Sequence, residues 1–256
     1  MMGFRVLLLK ELREQIRTGR MVAVAAVFVL FGVLGPLTDR YMKDLFDAIG
    51  SESGGMTFAV PPPSLLGAST QILKNLSQFG IICALLLAMG SVAWEKERGT
   101  AGMILTKPAS RAAFLAAKLI AISITLGVAV ILGCGFGYLY TLLLYPNVFP
   151  LGGYVAMALL MWWMLVVFAA ITLLGSTLTR SAIAAAGIGL VALVVFGIVG
   201  QFPVVGDYMP SSLGKPALDL MLGNDAGSWL GPLLFNLALV PVMFVATWVA
   251  FRRQEL

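Results

Sequence analysis

Residues 94–118 read WEKERGTAGMILTKPASRAAFLAAK. This stretch holds two acidic and five basic residues, and it lies between two runs that carry no formal charge, 75–94 and 119–179. A helix needs roughly 20 apolar residues to cross the hydrocarbon core of a bilayer. The charged stretch therefore reads as a loop joining two membrane spans, with a composition suited to docking against something soluble.

Working outward, the whole chain has the same character. Of its 256 residues, 60% are hydrophobic and 11% charged, with a mean hydropathy of +0.97. A soluble domain carries about 25% charged residues, so nearly all of this chain is expected to be embedded. The net charge of +5 then reports topology and attraction to anionic headgroups rather than binding to nucleic acid. The first twenty residues, MMGFRVLLLKELREQIRTGR, lack the uninterrupted apolar stretch and cleavage site of a signal peptide, so the first span is expected to serve as an uncleaved signal. Histidine is absent, which excludes His-based zinc sites and Ser-His-Asp triads. Cys83 and Cys134 sit in apolar runs and read as packing residues without a bridge.

Six spans follow: 21–37, ending at Gly35-Pro36; 75–94; 113–144; 154–178; 182–202; and 231–251. The third and fourth are separated by the Pro- and Gly-rich stretch YPNVFPLGG at 145–153, which marks a turn. Six spans put both termini on one side. With the N-terminus inside, the inner segments hold thirteen Lys and Arg and the outer segments four, Arg40, Lys43, Lys74 and Lys215. The positive-inside rule then predicts cytoplasmic termini. Segments 38–70 and 203–230 become extracytoplasmic. The first should open with a short amphipathic helix, DRYMKDLFDAI, before Pro61-Pro62-Pro63; the second should contain another, PALDLML.

No span carries a charge near its middle, which argues against a proton- or sodium-coupled transporter. Gly214-Lys215 lacks the surrounding residues of a nucleotide-binding loop, and no nucleophile–base set stands out, so no catalysis is expected. Three features remain. In the N-terminal helix Phe4, Leu8, Leu12 and Ile16 recur every four residues opposite Arg5, Lys10, Arg13, Glu14 and Arg17, as in a helix lying flat at the interface. It is a lipid anchor, a strut moving with an attached motor, or both. In the opening stretch, Glu95 to Arg98 extend the second span past the membrane and Gly99 loosens it. Ala101 to Leu105 forms an apolar knob, Lys107-Pro108 ends it, and Ser110 caps a new helix. The elbow suits a cleft on a soluble partner, against the plainer reading of a snorkelling loop. Finally, Gly127, Gly133, Gly135 and Gly137 in the third span and Gly187, Gly189, Gly197 and Gly200 in the fifth serve close packing or gate flexibility.

These motifs in order, LLLKELREQIR, QILKNLSQFG, the charged stretch itself and YMPSSL after the fifth span, resemble the six-span permease subunits of bacterial ABC-2 type (type V fold) ABC exporters. The most specific is the acidic pair closing span two, then Arg-Gly-Thr, then Lys-Pro-x-Ser-Arg and a Lys entering span three. The resemblance implies an all-α membrane protein with an interfacial N-terminal helix and a cytoplasmic coupling elbow. It also implies a bacterial or archaeal cytoplasmic membrane, pairing of two permeases (as a homodimer, or a heterodimer), and two separate ABC ATPase subunits. No cofactor would be bound by this chain, since ATP-Mg would sit on the ATPases. The elbow contact would map to Glu95, Glu97, Arg98, Gly99, Thr100, Met103, Lys107 and Pro108. The interfacial helix, with Lys10, Glu11, Arg13 and Arg17, would share the motion, and a short helix near 216–222 would be re-entrant from outside. The alternatives from other classes are a self-contained secondary transporter and a non-transporting membrane scaffold.

Overall fold

The structure is a computed structural model that describes residues 2–52, 62–99, 110–147, 149–224 and 229–254. It is all-helical, with no strand among the described residues. In chain order the helices are α1 (Met2–Arg17), α2 (Arg20–Glu52), α3 (Leu65–Met89), α4 (Ala93–Glu97), α5 (Arg111–Leu144), α6 (Leu151–Leu178), α7 (Ala182–Val199), α8 (Gly214–Leu222) and α9 (Leu230–Arg252), with two short 3₁₀ turns before α8. Six of the segments are long and apolar enough to cross a membrane: α2, α3 with α4, α5, α6, α7 and α9.

Helix α6 is the axis of the bundle. Met157, Met161, Leu165, Phe168 and Ala169 are buried along it, packed by α3, α5, α7, α8 and α9. Helices α7 and α9 lie at the rim, with Ile183, Val191, Val194 and Leu234 exposed as lipid would require. Helices α2 and α5 cross backbone to backbone. A Cβ on Gly32 would meet the Gly133 carbonyl oxygen at 2.2 Å, and one on Gly133 would meet the Phe28 carbonyl oxygen at 2.7 Å. The backbones touch, which only glycine permits. Other glycines of the same runs, Gly135, Gly187 and Gly197, face open space.

The first two spans depart from the sequence reading. Helix α2 does not stop at Gly35-Pro36 but continues to Glu52 and absorbs the segment expected as a separate amphipathic helix. Proline removes one backbone donor and crowds the preceding turn, yet Pro36 is buried and Gly35 presses on Ile72 of α3, so packing holds the helix through the break. Helix α3 starts at Leu65, ten residues before Asn75, because Ser64 caps it by accepting from the Gly67 N–H at 2.9 Å. Lys74 stays exposed on its surface. Asp39 ties this corner together, accepting from the Ser64 N–H at 3.0 Å and from the Tyr145 hydroxyl at 2.5 Å. Burial, with the Asp39 carboxylate beside it, pushes the Tyr145 hydroxyl up from its usual range. The other four spans begin and end within three residues of the expected positions.

Between α3 and α4 the helix breaks at Gly90, Ser91 and Val92. Backbone groups freed at membrane depth need internal partners. Ser176 of α6, fully buried, supplies them: its hydroxyl donates to the Met89 carbonyl at 2.8 Å and accepts from the Val92 and Ala93 N–H groups at 3.1 and 2.9 Å. Helix α8 docks on α6 at Gly153, where a Cβ would meet the Leu220 carbonyl oxygen at 1.8 Å. Cys83 and Cys134 are buried free thiols.

Candidate functional site

The end of the bundle that carries both termini also carries the two stubs flanking residues 100–109. One stub is α4, ended by Gly99 at φ 68°; the other is the first two turns of α5, capped by Ser110, whose hydroxyl accepts from the Ala113 N–H at 3.1 Å. The cap is where the sequence placed it. Thr100, Met103, Lys107 and Pro108 lie outside the described residues.

Three cations on these stubs reach into the bundle. Lys118, at the second turn of α5, is only 3% exposed, and its ammonium lies 3.1 Å from Glu11 Oε1 on α1 and 3.0 Å from Glu95 Oε1 on α4. Lys10 of α1 repeats both contacts at 3.2 and 3.1 Å and reaches Glu14 at 3.8 Å. Two lysines and two carboxylates thus alternate in a closed ring that clamps α1, α4 and α5. Phe114 puts its ring 4.9 Å under the Lys118 ammonium. Burial opposes the charge on Lys10, but Glu11 and Glu95 together outweigh it and hold its ammonium above the usual value.

The second cation, Lys96 of α4, donates to the carbonyl of Thr177 and, at 3.4 Å, to that of Thr179, at the C-terminus of α6. Gln254 donates to the same Thr177 carbonyl at 2.8 Å. The third, Arg111, donates through one terminal nitrogen to the carbonyls of Phe251, Arg252 and Gln254 at 3.2, 2.8 and 3.4 Å, closing the C-terminus of α9. Phe114 stacks on Phe251 beneath it, with centroids 5.6 Å apart. The last carbonyls of a helix lack intrahelical donors and carry partial negative charge, so a cation there is doubly favoured. The stubs beside residues 100–109 are therefore fastened to α1, α6 and α9 at once.

A family profile described as ABC-2 family transporter protein matches residues 5–256, essentially the whole chain. The chain belongs to this ABC-2 family. It is similar to an uncharacterized transmembrane protein, YxlG, of Bacillus subtilis (strain 168), with 29% identity over 255 residues covering 97% of each chain. Membership makes this multi-pass protein the permease component of an ABC transporter, typically non-catalytic, and implies association with an ABC ATPase.

Within this ABC-2 permease the sequence-expected residues separate into two groups. Glu95, Lys10 and Glu11 turn inward to the ring, whereas Glu97, Arg98 and Gly99 are exposed beside residues 100–109, and Arg13 and Arg17 are exposed on α1. The apolar stripe on α1 is split: Ile16 faces out, where lipid would meet it, and Phe4, Leu8 and Leu12 are half-buried. Glu11 and Gln15 are buried, and Val6, Leu9 and Ile16 face out, because the Lys118 ammonium sits under the helix and draws its carboxylate inward. Lys96, Arg111 and Lys118 stand in the quoted stretch but were given no role of their own from the sequence, and Ser176 was not singled out. Lys118 carried a usable signal: a lone Lys within FLAAKLIAI has to find a buried partner.

Proposed function

We propose that this chain is the permease of an ATP-driven exporter in a bacterial or archaeal cytoplasmic membrane, with both termini in the cytoplasm. The thirteen-to-four split of basic residues between the two sides supports that orientation. Two permease copies, in a homodimer or a heterodimer, would take two ATPase subunits, each holding its own ATP-Mg. In this reading Glu97, Arg98, Gly99, Thr100, Met103, Lys107 and Pro108 meet the ATPase. Glu95, with Lys10 and Glu11, passes the load to the interfacial helix, and Arg13 and Arg17 lie at headgroups or against the motor.

The observation that carries the proposal is the fastening of both stubs to α1, α6 and α9. ATP can bias the permease only if the ATPase binds its two states with different free energy. A contact fixed to three helix ends converts such a difference into movement of the bundle.

The test is co-purification with an ABC ATPase from the source cell, followed by reconstitution in vesicles. Replacing Glu95 and Arg98 together by Ala should leave a folded complex whose ATP hydrolysis no longer tracks transport. Unchanged transport per ATP would remove the coupling role, and failure of any ABC ATPase to co-purify would remove the exporter reading itself.

A further inference from the structure

Beside the charged ring lies a pocket of about 340 Å³ between α1, α2 and α4, with Gln15, Arg20, Trp94 and Arg98 in its wall. An apolar groove of about 250 Å³ runs from it along α2 and α3, lined by Ala23, Val24, Val27, Cys83 and Leu86. Arg20 and Leu87 line both, so polar pocket and apolar groove adjoin. That shape, a charged head space opening into a hydrocarbon-lined slot at the start of a span, fits an amphiphile and not a soluble ion.

The charges specify which one. The pocket carries Lys10, Lys118, Arg20 and Arg98 against Glu11, Glu14 and Glu95, an excess of one positive charge (four minus three). The lysines are committed to the carboxylates. Among the described residues neither guanidinium is bridged to a carboxylate; Arg20 lies over the Trp94 ring at 4.9 Å. Arg20 also opens α2, where the helix dipole adds positive potential. A phosphate group is the anion that guanidiniums recognise best. Gln15, 6% exposed, has a buried Oε1 with no hydrogen-bond partner, so the pocket wants a donor as well as an anion. A hydroxyl-bearing headgroup provides it without a further positive charge, whereas an ammonium headgroup would add one to a pocket already in positive excess.

We propose that this corner binds one anionic glycerophospholipid, its phosphate on Arg20 and Arg98, a headgroup hydroxyl toward Gln15, and one acyl chain in the groove between α2 and α3. The bound lipid would wedge the interfacial helix against the first span. The site shares Arg98 with the proposed ATPase contact, but its test uses this chain without any ATPase, so it stands or falls separately from the exporter reading.

Native mass spectrometry of the delipidated full chain in detergent tests it, with phosphatidylglycerol, phosphatidylethanolamine and glycerol 3-phosphate as probes. Both lipids offer the phosphodiester, but phosphatidylethanolamine adds an ammonium to a pocket already in positive excess, so one equivalent of phosphatidylglycerol should bind roughly tenfold tighter. The Arg20→Gln/Arg98→Gln variant should lose that preference. Ala23→Trp, which fills the exposed groove and leaves the arginines alone, should weaken the same single equivalent; it decides the matter if the arginine variant fails to fold. Equal retention of the two lipids, a preference that survives both variants, or displacement of the lipid by glycerol 3-phosphate would each overturn the proposal, the last by showing a soluble-phosphate site.

Discussion

Replacing Lys118 by Met removes the charge at the centre of the ring and keeps the length of the side chain. At an effective dielectric near 20, a contact of about 3 Å is worth roughly 5 kcal/mol before desolvation is subtracted. Lys118 makes two. Desolvation of a 3%-exposed ammonium cancels much of that sum, and the informative quantity is the cost of leaving the carboxylates behind, about 3–5 kcal/mol for a fully buried pair. Glu11 and Glu95 are 11% and 15% exposed, and Lys10 still bridges them, so the low end applies, about 3 kcal/mol. For a chain of this size that corresponds to a Tm roughly 6–12 °C lower, read by thermal unfolding of purified protein in detergent. Adding Glu11→Gln removes one of the stranded carboxylates. The double variant should be less destabilised than the sum of the single ones by about 1–2 kcal/mol. A fall of less than about 2 °C, or additivity within about 0.5 kcal/mol, would refute the ring as the clamp between α1, α4 and α5.

Ser176→Ala strands the Met89 carbonyl and two N–H groups at membrane depth, and should cost about 1–3 kcal/mol in the same unfolding assay. Gly133→Ala drives a Cβ to 2.7 Å from the Phe28 carbonyl oxygen and should lower Tm by several degrees, whereas Gly135→Ala, facing open space, should change it by less than about 1 °C. Lys10 has a folded-state pKa above its ordinary value, so its contribution is complete below pH about 10.5 and fades as pH rises through the folded value. The Tm difference between wild type and Lys10→Met should therefore be flat through neutral pH and shrink only in strong alkali; a difference that collapses near pH 7 would contradict the ring geometry.

The six spans were legible because lipid leaves a backbone no partner but itself, so each crossing must be an apolar helix long enough to show in the residues. The Ser110 cap was legible for a similar reason, since the side chain and the N–H it serves are three residues apart. What escaped was set by distant residues. Helix α2 passes Pro36 because Ile72 packs there, and the break after Met89 is tolerable because Ser176 lies opposite, eighty-seven residues away. The inward turn of Glu11 answers to Lys118, across a separation of 107 residues. A periodicity argument sees only the neighbours along α1, and there the apolar stripe looked sufficient.

The way the elbow is fastened bears on how it could move. Shearing α1 away from α4 and α5 would open the Lys118 ring, at a cost of about 3 kcal/mol or more. Lifting α4 away from α6 would part Lys96 from the Thr177 and Thr179 carbonyls, but at the helix break itself only one hydroxyl has to let go. Neutral hydrogen bonds contribute about 1 kcal/mol each. A mode that spares the ring is rotation of α1, α4 and the start of α5 as one body about Gly90–Val92, at the expense of the Lys96 and Arg111 contacts to α6 and α9. An ATPase acting on that body need not pull on any span directly. It would tilt the interfacial helix and the first turns of α5 together, and the Gly32–Gly133 contact would carry that tilt from α5 into α2, because touching backbones leave no slack between them.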